Sequence, residues 1–123
     1  MKSSTLKYSK AFLPAIVWAL IIYFLSSQQV LPALSLSVID FVLKKTAHIF
    51  VYAILYILII KGFTKLNYPF EKIWFNALLI CLLYAIFDEI HQSTVIGRTA
   101  TVTDVGFDFL GASVVALHKF GYL

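Results

Sequence analysis

Between Phe87 and Gly111 the chain reads FDEIHQSTVIGRTATVTDVGFDFLG. That stretch holds four of the six acidic residues, the only arginine and one of the three histidines. Asp88, Glu89, His91, Gln92, Arg98, Asp104 and Asp108 are packed there between two oily segments. Ionisable groups at the edge of a membrane are costly to place and usually face a protein interior or a watery cavity. Two chemistries suit this set. Arg98 can grip a phosphate or carboxylate bidentately. An imidazole or carboxylate can pass a proton to a bound group.

A second set lies upstream. On a helix, Lys45, His48 and Tyr52 fall at i, i+3 and i+7 and form one polar stripe. By the same spacing Asp88, His91 and Gln92 share a face, and so do Asp104 and Asp108, with Gly111 one turn further in. If the helices carrying these stripes touch, carboxylates, two imidazoles, a lysine and an arginine converge, roofed by the loop of residues 93–103. His48 and Asp88 are then the candidate proton-transferring groups. Lys45, Tyr52, Glu89, His91, Gln92, Arg98, Asp104 and Asp108 are candidate ligand-binding residues. A plainer reading stands beside this one: polar groups in lipid can simply hold helices together. Lys45 with Asp88 or Asp104, and Arg98 with Glu89, would then neutralise one another. Buried ion pairs are weak stabilisers, so seven or more ionisable groups on one leaflet point to a functional cluster. By donor type Asp88, His91 and Asp104 with His48 would also suit Zn²⁺ or Mn²⁺. No tight ligand motif such as HExxH is present, and no metal is assigned; a divalent cation is a secondary reading.

The elements that must position these residues are helices in lipid. The chain has 123 residues, 61% hydrophobic and 13% charged, with a mean hydropathy of +0.90. A soluble domain is roughly half apolar and about a quarter charged. Four membrane spans are expected, over residues 11–27, 41–60, 73–89 and 104–119. The first follows Lys2, Lys7 and Lys10, as a signal peptide would. Pro14, Trp18 and Tyr23 interrupt it and no small-residue cleavage site follows, so it reads as an uncleaved span. Residues 61–72 read as a short polar loop, with Gly62, Asn67 and Pro69. Thr103 or Asp104 is a candidate N-cap for the last helix. Short loops between four spans predict an all-α antiparallel bundle in a single domain. Cys81, the only cysteine, excludes an internal disulfide and reads as structural. The basic residues are too sparse for a nucleic-acid partner.

Lysine and arginine counts give an orientation. The N-terminal tail, the central loop and the C-terminal tail together hold seven; the other side holds Lys44, Lys45 and Arg98. Both termini are therefore expected in the cytoplasm, with the ionisable cluster facing outward from the plasma membrane.

These residues together resemble the VanZ-like family of small multispan bacterial membrane proteins. The likeness lies in YFLSSQQ (Tyr23 to Gln29), in KTAHIFVYAIL (Lys45, His48 and Tyr52), and in DEIHQ…GR…D…D..G (Asp88, Glu89, Gln92, Gly97, Arg98, Asp104 and Gly111). Two departures stand out: many members have Asn where Asp108 stands, and often Pro where Ile96 stands. The founding member is associated with resistance to the glycopeptide teicoplanin, and relatives with resistance to other envelope-active agents. The resemblance therefore implies a cell-envelope protein, with membrane lipids and a lipid-linked envelope precursor or glycopeptide drug as candidate partners. Three functions follow as expectations. The first is an outward site for an anionic, lipid-linked or envelope ligand, with Arg98 and Lys45 as the clamp. The second is a non-catalytic modulator of drug access. The third is a small ion or proton pathway, against which the inner halves of the spans offer no continuing relay.

Overall fold

The computed structural model describes residues 2–27, 38–95 and 102–121. Those residues form four helices: α1 (Lys2–Ser26), α2 (Val38–Lys65), α3 (Phe70–Gln92) and α4 (Val102–Lys119), with no strand among them. Helices answer the composition, because a backbone in hydrocarbon must satisfy its own N–H and C=O groups. Three helical stretches, Ser4–Ser26, Val42–Lys65 and Phe70–Gln92, are long and apolar enough to cross a membrane. The expected fourth crossing differs. α4 has 18 residues and carries Asp104, Asp108 and Lys119, so its length and composition do not single it out as the other three are singled out.

The helices also run further than the oily runs suggest. α2 continues through Gly62 to Lys65, and α3 starts at Phe70, so the polar loop expected over 61–72 contracts to residues 66–69. Gly62 does not break the helix because its task is packing: a Cβ there would press on the ring of Phe12 and the carbonyl of Ala11 in α1. The chain turns instead at Asn67, with φ of 54°, a left-handed conformation that Asn tolerates after a helix end. Asp104 lies in the first turn of α4 rather than before it, since that helix begins at Val102.

α2 is the central element. It packs most extensively on α4, then on α1, then on α3, whereas α1 touches α3 only slightly. Small side chains allow the approach. Ala77, Cys81 and Ala85 are buried four residues apart along α3, and Gly111, Ala112 and Ala116 are buried along α4. Such stripes let helix backbones close up where lipid gives no hydrophobic drive for association. Cys81 is buried. Large apolar groups such as Leu20, Phe24, Phe50 and Leu83 point outward, as lipid-facing residues do. Gly111 marks the closest contact, because a Cβ there would overlap the carbonyl of Ile49 in α2. Gly111→Ala is expected to push α4 off α2 and cost about 1–3 kcal/mol, as overpacking does. Denaturation in detergent micelles measures it. Gly106→Ala, at a site with nothing within 4 Å, should change little; equal stability of both variants would contradict the packing.

Candidate polar site at one end of the helices

The C-terminal ends of α1 and α3 meet the N-terminal ends of α2 and α4, and the polar side chains collect there. Among the described residues, every buried polar or charged side chain of the Ser, Gln, Asp or Glu type lies at this end: Ser26, Asp88, Glu89, Gln92, Asp104 and Asp108. The α2 stripe supplies most of their partners. At its outer turn Lys45 forms an ion pair with Asp104 of α4, and its ammonium also sits 5.4 Å from the ring centre of Phe107. One turn further in, His48 Nδ1 stands 2.5 Å from Asp108 Oδ1. Another turn on, the Tyr52 hydroxyl donates to Asp88 Oδ2 of α3 at 3.3 Å. Helical spacing delivers one residue per turn to the same side, and these three contacts tie α2 to both α4 and α3.

α1 joins from the third side. Gln92 Nε2 donates both to Asp88 Oδ2 and to Ser26 Oγ, each at 3.3 Å. His91 Nε2 lies 2.8 Å from Ser27 Oγ, and its ring stacks on Tyr23 with centres 4.3 Å apart. Tyr84 of α3 donates to the carbonyl of Ala19, and Trp18 of α1 to the carbonyl of Val51 in α2. Buried hydroxyl and indole groups thus find acceptors, as they must in a dry interior.

The electrostatics follow from burial. Asp108 is fully buried and Asp88 is 2% exposed. A carboxylate in that setting needs donors. Each has one oxygen served, by His48 and by Tyr52 with Gln92; Asp88 Oδ1 and Asp108 Oδ2 have no hydrogen-bond partner among the described residues. With Asp108 ionised its carboxylate only accepts, and the proton of this bond then sits on His48 Nδ1. Nε2 is then left as an acceptor, with no hydrogen bond to it among the described residues. A cavity of about 210 Å³ opens beside His48 between α1, α2 and α3, walled by Ser26, Lys44, His48, Tyr52, Asp88 and Gln92 with apolar neighbours. An imidazole bonded to a buried carboxylate, in the wall of a cavity, is an arrangement that can serve a general base.

The candidates from the sequence are therefore sorted. His48, Tyr52, Asp88 and Gln92 share the cavity wall. Asp108 stands behind His48. Lys45 and Asp104 engage each other, Glu89 is buried on α3, and His91 is turned to α1. Arg98 and the Gly97 beside it lie outside the described residues. Ser26, Ser27 and Lys44 were not among the expected site residues. The two serines were signalled only by YFLSSQQ; Lys44 carried no sign beyond its charge. Asn76, inside α3, donates to Tyr68 in the turn before its own helix. Among the described residues no group of three or more His, Cys, Asp or Glu is placed to hold a metal ion. The two imidazoles are drawn apart, His48 to α4 and His91 to α1.

Membrane-length apolar helices around a buried polar cluster define a small helical membrane protein. The chain belongs to the VanZ/LLP1 family, whose family model matches residues 11–118. Neither the curated proteins nor the solved structures gave a match.

His48→Ala is expected to strand the Asp108 carboxylate and to destabilise the protein by about 1–3 kcal/mol, the usual cost of leaving a buried acceptor without its donor. Adding Asp108→Asn should recover a good part of that. Chemical denaturation in micelles reads both; an unaltered His48→Ala protein would contradict the pairing.

Proposed function

We propose that this is a multi-pass plasma-membrane protein of the bacterial cell envelope whose polar end handles an anionic, lipid-linked or envelope-associated ligand. In this reading the four helices alternate in direction, both termini are cytoplasmic, and the polar end faces outward. Seven basic residues on one side against three on the other support that orientation. α4, with its two aspartates turned to α2, is a fourth spanning helix sheltered from lipid on that face.

One observation carries the proposal: the bond between His48 Nδ1 and Asp108 Oδ1, at the wall of a cavity that also holds Asp88. Bundle stability alone asks for a mutual pair such as Lys45 with Asp104. It does not ask for an imidazole with its second nitrogen unengaged beside a cavity. Lys44 lines that cavity and gives the ligand's negative group a cation. Arg98 is the bidentate clamp. Lys45, held by Asp104, fixes α2 to α4 and lends its charge at longer range. Asp88 and Gln92 orient the ligand, and His48 Nε2 accepts a proton where a reaction occurs. Glu89 and His91 flank this group on α3. Tolerance of teicoplanin or another envelope-active drug is the cellular role that the family suggests.

A second reading has its own support. The Lys45–Asp104 pair neutralises a cation that an anion site would use, which favours a non-catalytic modulator of drug access. The two readings part at Nε2. His48→Asn keeps a donor for Asp108 and removes the acceptor nitrogen. Together with Arg98→Ala, it is expected to abolish envelope-drug tolerance at unchanged protein levels. If both variants retain full tolerance, the proposed site is wrong. If His48→Asn and Arg98→Lys keep tolerance while Arg98→Ala loses it, the modulator is favoured.

A further inference from the structure

Half-way along the helices lies a second cavity, of about 260 Å³. Ala15, Ile16 and Ala19 of α1, Leu55 and Ile59 of α2, and Ile80 of α3 line it. Tyr84 also lines it, but its hydroxyl is engaged by the Ala19 carbonyl. The walls therefore hold no polar group for water, and apolar cavities of this kind stay dry. A dry cavity of about 150 Å³ already admits benzene, so this one has room for a stretch of hydrocarbon.

The helices fix its depth. Ala15 is the middle residue of the membrane-length stretch Ser4–Ser26. Leu55 stands within two residues of the middle of Val42–Lys65, and Ile80 is next to the middle of Phe70–Gln92. At about 1.5 Å per residue, all three lie within a few ångströms of the half-way level. In a hydrocarbon core about 30 Å thick, that level is the midplane, where acyl chains from the two leaflets end.

The cavity opens between α1 and α3. Its rim residues Ile16 and Ile80 are 49% and 41% exposed, whereas Ala15, Leu55 and Ile59 behind them are buried. The rim is thus continuous with the lipid-facing surface that Leu20 and Leu83 carry on the same two helices. Ala15 and Ala19, four residues apart, form the kind of small-residue stripe that lets helix backbones close up. α3 does not close on it: the two helices touch only slightly, and Tyr84 spans the gap to Ala19 like a strut. The rim does not suit a partner helix, which would pack through small residues; Ile16 and Ile80 are large and β-branched.

We infer that the tail of one lipid acyl chain occupies this cavity, entering between α1 and α3 at the midplane of the membrane. The last methylenes pass Ile16 and Ile80 and rest on Leu55 and Ile59. They restore the dispersion contacts that the walls of a void would forfeit. The headgroup takes no part, since it lies about half a bilayer away. The ligand class is therefore a membrane lipid recognised by its chain alone. This goes beyond the function proposed above and does not rest on the polar end.

The test is photo-crosslinking of the full chain in phosphatidylcholine vesicles. Two phosphatidylcholine probes carry a diazirine on one acyl chain, at its free end in one and beside the ester in the other. Adducts are mapped by mass spectrometry. The end-labelled probe is expected to mark Leu55 and Ile59, which at 2% and 4% exposure are too buried to meet lipid outside the cavity. The ester-side probe is not. Ala15→Leu fills the cavity from its wall, and Ile16→Trp blocks the rim from the lipid side without touching the core. Each displaces about two methylenes of the chain and should cut this labelling about tenfold. Leu83→Trp, on the lipid-facing side of α3 and outside the cavity wall, should leave it unchanged. Adducts confined to outward residues such as Leu20 and Leu83 would mean surrounding lipid only and overturn the inference. So would equal marking of Leu55 and Ile59 by both probes, or labelling that Ala15→Leu and Ile16→Trp leave intact. Ile16→Cys chains that crosslink to one another in the vesicles and lose the lipid adducts would put a second copy in the rim, and the inference would fall.

Discussion

Asp108 has no exposed surface, and a carboxylate shut away from water has to be met by a donor. His48 is that donor, and much of the architecture can be traced from this one bond. It draws the N-terminal part of α2 onto α4, where Gly111 leaves room for the Ile49 carbonyl. It fixes the imidazole from behind. It also keeps His48 in the wall of the cavity enclosed with α1 and α3. Replacing both partners by well-packed apolar groups would cost the bundle little, as it often does for a buried polar contact. Its presence therefore speaks for chemistry at that end more than for stability.

The remaining polar contacts are graded outward from that bond. Lys45 and Asp104 sit at the rim with partial exposure, side-chain values of 18% and 9%, whereas Tyr52 and Asp88 are almost wholly enclosed. α2 thus passes from an ion pair, through a histidine–carboxylate bond, to a neutral hydroxyl donor as it descends. Below Tyr52 the faces turn apolar, with Leu55, Tyr56, Ile59 and Ile60 buried in succession. The loose α1–α3 contact is the exception to the close packing elsewhere, and an apolar cavity lined by Phe12, Ile16, Ile59 and Ile80 lies beside it.

Much of this was legible in the sequence because helical spacing is rigid. Lys45, His48 and Tyr52 at i, i+3 and i+7 had to share a face, and Asp104 and Asp108 at i and i+4 likewise. The sequence could offer Lys45 a choice of Asp88 or Asp104; only the helix arrangement selects Asp104. Partners contributed across helices left fainter traces. Ser26 and Ser27 look like ordinary span-end residues until Gln92 and His91 reach them, and Lys44 differs from Lys45 only in which way its side chain faces. Gly62 looked like a loop residue because a glycine's role in close packing cannot be told from its role in a turn without knowing its neighbour, here Phe12. The apolar cavity left no mark at all, since its lining residues are the common currency of any membrane helix.

The central claim is the state of one ring. Nitrogen-15 spectroscopy of histidine-labelled protein in lipid bilayers reads the two nitrogens of His48 separately, with His48→Asn providing the assignment. The account expects a proton on Nδ1 with the shift of a hydrogen bond to carboxylate, a bare Nε2, and loss of that signature in Asp108→Ala. A proton on Nε2 with a bare Nδ1, or a spectrum unmoved by Asp108→Ala, would contradict it.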